Sequence, residues 1–154
     1  MKAIFLDSHP LSLLCNPDLN SQVVAVTRWA AAMVAAGHRI HVPEVIDYEL
    51  RRELLRAGKA DSVVLLESLK ARFYYVPITT GAMLRAAEMW AQARNAGLPT
   101  GDPKKLDIDV ILAAQALTEA EARGIAPADV VIATSNVAHL ARFVNSAVWA
   151  DITP

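Results

Sequence analysis

The residues with most capacity for chemistry are carboxylates and amides at the abrupt ends of apolar runs. Asp7 closes the run from Ala3 to Leu6, and the run from Val130 to Ala133 leads straight into Thr134-Ser135-Asn136, so oxygen-bearing side chains stand at two equivalent points. Asp107 and Asp109 open a segment, Val110 to Leu117, that is apolar on nearly every side. One of these acids can cap that helix, accepting a backbone N–H at the positive end of the dipole. Asp109 is followed by almost only apolar neighbours, and a carboxylate at the edge of a core calls for a partner or a cation. Beyond Pro43, the acids Glu44, Asp47, Glu49 and Glu53 are interspersed with Arg51, Arg52 and Arg56. Glu49 lies four residues after Val45 and so shares a face with an inward-pointing valine, whereas Glu53 and Arg56 read as a solvated pair. Converging carboxylates without counter-charge suit a hard divalent cation, which takes oxygen ligands and keeps several waters. Such an ion activates water and neutralises charge on a phosphate under attack.

Alternating strands and helices must position these groups. Ala3 to Leu6 reads as a buried strand, with Pro10 soon after it. From Leu19, the apolar positions Val23, Val26, Ala30 and Met33 recur at helical spacing and stop at Gly37. Arg39 to Val42 is a second strand, and Pro43 opens a helix to about Ala57, ended by Gly58. A further helix runs from about Asp61 to Arg72, and Phe73 to Ile78 is aromatic and β-branched, a third strand. Thr80 is the expected N-cap of a helix reaching Gly97, residues 98–106 are expected as a loop, and Asp107 caps the next helix. Gly124 and Pro127 break that helix before Val130 to Ala133, a fourth strand. A short helix around Val137 to Phe143 and a final strand, Ala147 to Ile152, complete the chain.

This order predicts an α/β fold, a three-layer α/β/α arrangement around a mainly parallel sheet. In such a sheet, ligands bind beyond the carboxyl ends of the strands, where the strand order reverses. The 154 residues show no repeat or linker and are expected to form one domain over 1–154. At 54% hydrophobic and 20% charged, with mean hydropathy +0.28, the composition excludes disorder. The lone Cys15 excludes an internal disulfide and a multi-cysteine metal site and fits a reducing compartment. No apolar stretch has spanning length, so a soluble, cytoplasmic protein without a membrane partner is expected. A formal net charge of -1 gives the chain as a whole no pull on nucleic acid. Balanced totals can still conceal acids gathered in a centre and arginines spread around its rim.

Four stretches resemble, in order and spacing, the signature blocks of PIN-domain nucleases, a family that includes the VapC-type ribonuclease toxins. They are Leu6-Asp7-Ser8, then Val42-Pro43-Glu44-Val45-Ile46-Asp47-Tyr48-Glu49-Leu50, then Asp109-Val110-Ile111-Leu112-Ala113-Ala114-Gln115-Ala116, and Ala133-Thr134-Ser135-Asn136 followed by Phe143. The resemblance covers essentially the whole chain. It implies Asp7, Glu49 and Asp109 as the three acids that are both catalytic and metal ligands, with Asn136 at the fourth catalytic position. That position is Asp in many members and Asn or Ser in others, so Asn136 leaves three carboxylates and weakens the case for a second metal site. Ser8 matches the small hydroxyl residue that follows the first acid. Asp107 lies outside the motif, a cap first and a substitute ligand second. The implied chemistry is hydrolysis of RNA phosphodiester bonds, with one or two Mg²⁺ or Mn²⁺ ions orienting a water for in-line attack. The implied partners are RNA, a cognate antitoxin protein and, in a homodimer, a second copy of the chain.

Each residue also has a plainer reading. Asp7 can simply end a strand, Asp109 start a helix, and Asn136 serve a loop, while Glu44 and Glu53 compete with Glu49 on one helix. Arg51, Arg52, Lys104 and Lys105 either hold phosphates around the acidic centre or line a solvated face. His38 and His41 face opposite sides of their strand, which argues against a shared metal, and His139 reads as surface or packing. The sequence has no Gly-rich phosphate loop of either common pattern. Two rivals accompany the nuclease reading. One is a catalytically degenerate PIN-like RNA-binding or protein-interaction module. The other is a receiver-like domain phosphorylated on Asp7, disfavoured because Val130 to Asn136 supplies no lysine.

Overall fold

The structure, a computed structural model, describes residues 1–97 and 102–154. Its elements run β1 (Ala3–Leu6), α1 (Ser8–Leu14), α2 (Ser21–Ala35), β2 (Arg39–Pro43), α3 (Glu44–Arg56), α4 (Ala60–Arg72) and β3 (Tyr74–Val76). They continue α5 (Thr80–Asn95), α6 (Pro103–Ala122), β4 (Val130–Thr134), α7 (Val137–Leu140) and β5 (Ser146–Val148), with 3₁₀ turns at Pro127–Asp129 and Trp149–Asp151.

The five strands form one sheet in the order β3-β2-β1-β4-β5, and every pairing is parallel. A parallel sheet covered by helices on both faces has no solvated side, which is why every residue of β1 and β4 is buried and apolar runs rather than alternation mark them. The architecture is the expected three-layer α/β/α. The chain steps outward from β1 through β2 to β3, then crosses back to β4 and β5, so the strand order reverses between β1 and β4. Register there pairs Leu6 with Ala133, and the Asp7 N–H donates to the Ala133 carbonyl at 2.9 Å. Asp7 and Thr134 therefore leave the sheet side by side.

Helix α6 is apolar nearly all round because it packs two ways. Ile108, Leu112, Ala113 and Ala116 join the main core, and Leu106, Val110 and Ala114 pack with Ala86 and Ala93 of α5. Gln115 ties this helix to its neighbours: its Oε1 accepts the Val45 N–H at 3.1 Å and its Nε2 donates to the Val76 carbonyl at 2.8 Å. The beginning of α3 is thereby fixed against α6 and β3.

Several boundaries differ from expectation. Helix α1 occupies the stretch around Pro10, since a proline in the first turn forfeits no intrahelical hydrogen bond. Thr79, not Thr80, caps α5, its hydroxyl oxygen accepting the Ala82 N–H at 3.1 Å. Pro43 is the capping residue of α3 rather than its first turn. The expected loop over 98–106 lies partly outside the described residues (98–101), but α6 already begins at Pro103, capped by Asp102, whose carboxylate accepts the Lys104 N–H at 3.0 Å. Asp107 is consequently no cap and sits exposed inside the helix. The last strand ends at Val148, and Trp29 Nε1 secures the following turn by donating to the Ile152 carbonyl at 3.0 Å. Among the described residues, no helix is long and apolar enough to cross a membrane.

Candidate active site

Where the strand order reverses, the Asp7 carboxylate is buried and held at both oxygens. Oδ1 accepts the Ser8 N–H at 2.7 Å, starting α1, and Oδ2 accepts the Thr134 hydroxyl at 2.7 Å. Thr134 Oγ1 in turn accepts the Asn136 N–H at 2.9 Å. One fully buried threonine thus fixes the plane of Asp7 and the loop carrying Asn136, which precedes α7. Sequence reading passed over Thr134 as an orienting residue; the signal available was its register beside Asp7.

Opposite them, α3 and α6 each contribute an acid. Glu49 is largely buried on α3, and Asp109 on α6 is among the most buried side chains, 2% exposed. Neither oxygen of Asp109 has a hydrogen-bond partner among the described residues. Its nearest cation is Lys105 Nζ, 3.5 Å from Oδ1 and one helical turn earlier; the same ammonium lies 3.8 Å from Glu49 Oε1. Burial pushes the Asp109 pKa up, and Lys105 offsets that only in part, while Asp7 adds to it. Burial also opposes the charge of Lys105, but the fields of Asp7, Asp109 and Glu49 outweigh it and hold the ammonium above its ordinary pKa. Three acids from three elements therefore act on one lysine.

The remaining candidates disperse. Ser8 opens α1 and serves Asp7 through its backbone. Arg51 is taken up by Asp47, at 2.8 Å, and by Glu67. Arg52 is exposed, its guanidinium 5.1 Å above the Tyr48 ring, and Lys104 is exposed at the start of α6. Glu44 accepts the Ile78 N–H at 2.7 Å, and Glu53 pairs with Arg56 at 2.9 Å, so neither displaces Glu49 from the centre. His139, half-buried on α7, lies near enough to Asp109 for its charge to favour the ionised acid. His38 and His41 stay apart: His38 Nδ1 accepts the Lys2 N–H, and His41 stacks on Phe5 inside the core. Burial pushes the Cys15 thiol up to about 12, which leaves it no nucleophilic use.

Among the described residues, no three His, Cys, Asp or Glu side chains stand close enough to ligate one ion directly. The donor chemistry nevertheless fits a hydrated divalent cation. Mg²⁺ is ordinarily held by one or two carboxylates and keeps several waters. Asp109 offers two buried oxygens with no hydrogen bond among the described residues, and Asp7 and Glu49, whose charges act on the same lysine, are likewise hard oxygen donors.

The chain matches the family model of the PIN domain over residues 4–142. No curated protein matches it. Among solved structures it is similar to VapBC2 from Rickettsia felis bound to a DNA fragment from their promoter, with 14% identity, a TM-score of 0.69, and coverage of 96% of this chain and 98% of that chain. DNA-bound VapBC from Salmonella typhimurium gives 17% identity and a TM-score of 0.62, and VapBC-1 from nontypeable Haemophilus influenzae 16% and 0.60, each over 97% of this chain and 99% of the other. At these identities the likeness is one of fold.

Proposed function

The chain belongs to the PIN-domain family, and on that premise we propose that it is a metal-dependent endoribonuclease, the toxin of a toxin–antitoxin pair. The observation that carries this reading is Asp109, a buried carboxylate with no hydrogen-bonded partner among the described residues, gathered with Glu49 and Asp7 where the strand order reverses. Mg²⁺ or Mn²⁺ bound there would supply a Lewis acid that lowers the pKa of a coordinated water and offsets phosphate charge. In this reading Asp7, Glu49 and Asp109 would hold a hydrated ion, in part through its waters. Ser8 and Thr134 hold Asp7 in one orientation, and the Asn136 amide offers a neutral contact to a phosphate oxygen or to water. Arg52 and Lys104 are the exposed cations for the RNA backbone. Arg51, already paired with Asp47 and Glu67, contributes further positive charge at the rim, and Lys105 stands inside it against Asp109 and Glu49.

The reading includes a single PIN-like domain over 1–154, a cytoplasmic location, a homodimer and a cognate antitoxin. Support for protein partners comes from the VapBC assemblies whose fold it shares and from Met83, Leu84 and Trp90, large apolar side chains exposed on α5. The test is cleavage of a single-stranded RNA with Mn²⁺ or Mg²⁺, abolished by EDTA. Asp7→Asn and Asp109→Asn are expected to lose about 10³-fold in rate, the equivalent of about 4 kcal/mol of transition-state stabilisation, while staying folded. Variants that cut as fast as wild type would overturn it.

A second reading, the degenerate RNA-binding or protein-interaction module, draws on Asn136 at the fourth position and on a lysine already seated among the acids. Its signature is RNA binding that EDTA leaves unchanged, with no cleavage and no Mn²⁺ uptake at millimolar concentration.

A further inference from the structure

Arg52 and Lys104 are exposed, but Lys105 is turned inward. It belongs to the first turns of α6, four residues before Asp109, so helical geometry stacks the two side chains on one face. Its ammonium reaches inward to 3.5 Å from Asp109 and 3.8 Å from Glu49, and only 30% of the side chain is exposed. Lys104, its neighbour in sequence, points to solvent. Two independent features bear on the charge of this centre. Asn136, joined to Asp7 through Thr134, carries no charge at the fourth position. Asp109 still has two buried oxygens without a hydrogen bond among the described residues, so the lysine has not exhausted the demand for positive charge.

We propose that Lys105 is a resident monovalent cation of the carboxylate centre, standing where a second divalent ion would otherwise be required, so that the site takes one divalent ion per chain and takes it against the field of the lysine. The charges support this count. Asp7, Glu49 and Asp109 bring three negative charges and Lys105 returns one, leaving the equivalent of a single divalent ion to be supplied. Two divalent ions would leave the buried centre with excess positive charge, and a buried net charge of either sign is costly. Lys105 also prevents three acids from facing one another unneutralised when no divalent ion is bound. The inference rests on the metal-nuclease reading above, and it assigns Lys105 a role in the centre rather than on the RNA-binding rim.

The experiment is titration of the full chain with Mn²⁺, read by calorimetry and by the paramagnetic resonance signal of free Mn²⁺, for wild type, Lys105→Met and Lys105→Arg. Wild type is expected to bind one ion. Lys105→Met is expected to bind its first ion about tenfold or more tightly, because a positive charge a few ångströms away has gone, and to accept a second. Lys105→Arg keeps the charge and should retain a stoichiometry of one. In EDTA, Lys105→Met should melt below wild type, and Mn²⁺ should close or reverse that gap. Unchanged affinity and stoichiometry in Lys105→Met, or two ions in wild type, overturns the role of Lys105 and leaves the metal-nuclease reading standing. No Mn²⁺ uptake by wild type or by either variant overturns both. Should Lys105→Met fail to fold, Lys105→Gln carries the same comparison, and two ions in wild type overturns the proposal without any variant.

Discussion

Asp47 and Asp109 are both buried aspartates on helices, one on α3 and one on α6, and both have a lysine within reach. Their surroundings are otherwise opposite. Asp47 Oδ1 accepts two hydrogen bonds from Arg51, at 2.8 and 3.0 Å, and Oδ2 accepts one from Lys70 at 2.9 Å, with Glu67 of α4 completing the cluster. Asp109 accepts none among the described residues. A carboxylate whose oxygens are filled from its own chain knits two helices together and has nothing to offer a ligand. One that is buried and unfilled costs stability and keeps lone pairs that a ligand can take up. The pair distinguishes acids that build the fold from acids available for chemistry, although both lie in acid-bearing stretches of the sequence.

The largest expected difference between the two is in activity. Asp109→Asn should lose RNA cleavage about 10³-fold, whereas Asp47→Asn should keep it within a few-fold in Mn²⁺-containing assays; equal losses would erase the distinction. His41 tests whether burial without a partner is enough to mark a functional group. It is fully buried between Phe5 and Tyr74, neither ring nitrogen has a hydrogen bond among the described residues, and burial first, then Arg123 and Arg39, lowers its pKa from 6.5 to about 4. The unfolded chain therefore takes up a proton near pH 6.5 that the folded chain refuses until about pH 4. Stability from this group is present above pH 6.5 and is lost as pH falls through that window, by on the order of 3 kcal/mol. Urea melts at pH 7 and pH 4.5 should show the loss in wild type and a smaller one in His41→Phe, with RNA cleavage at pH 7 unaffected.

Metal linkage sharpens the same contrast. Mn²⁺ at about 100 times its Kd should stabilise wild type by about 2.7 kcal/mol, a rise in Tm of about 6–10 °C. Asp109→Asn should show no such rise and Asp47→Asn the full one. In stability without metal the roles reverse: Asp47→Ala should cost about 2 kcal/mol, since it removes three hydrogen bonds and leaves Arg51 and Lys70 only the more exposed Glu67. Smallest of all is Arg56→Ala, which removes an exposed pair with Glu53 and should change thermal stability by less than about 0.5 kcal/mol.

Much of this molecule is legible from local signals. β1 and β4 appear as apolar runs because a parallel sheet buries both faces, and α2 and α4 appear through helical spacing. The elements that escaped are those whose markers are ambiguous. Pro10 reads as a breaker, yet a proline in a first turn is harmless, so α1 went unseen. Asp102-Pro103 reads as loop, yet it is the cap and first residue of α6, and mistaking it set the start of that helix five residues late. That slip had a consequence at the site: with α6 begun at Pro103, Lys105 is already helical and stacks beneath Asp109, whereas in a loop it is one more surface cation. Asp7 and Asp109 stand out because apolar runs adjoin them, whereas Glu49 is set apart from Glu44 and Glu53 by the resemblance to the PIN-domain blocks. That Arg51 is engaged by Glu67, from a helix sixteen residues further on, could not be.

The sequence by itself determines which charges exist, which runs must be buried and where most helices begin and end, because propensity, capping and apolar periodicity act over one or two turns. Only the tertiary structure decides which charge meets which. Lys70 and Glu67 of α4 close around Asp47, and Glu49 of α3 closes on Lys105 while the field of Asp7, just beyond β1, reaches the same ammonium, because folding brings separate elements near enough for Coulomb energy and desolvation to become large. A net charge of -1 is compatible with either arrangement. The position of two aspartates relative to cations distant in sequence is what separates a structural acid from an available one.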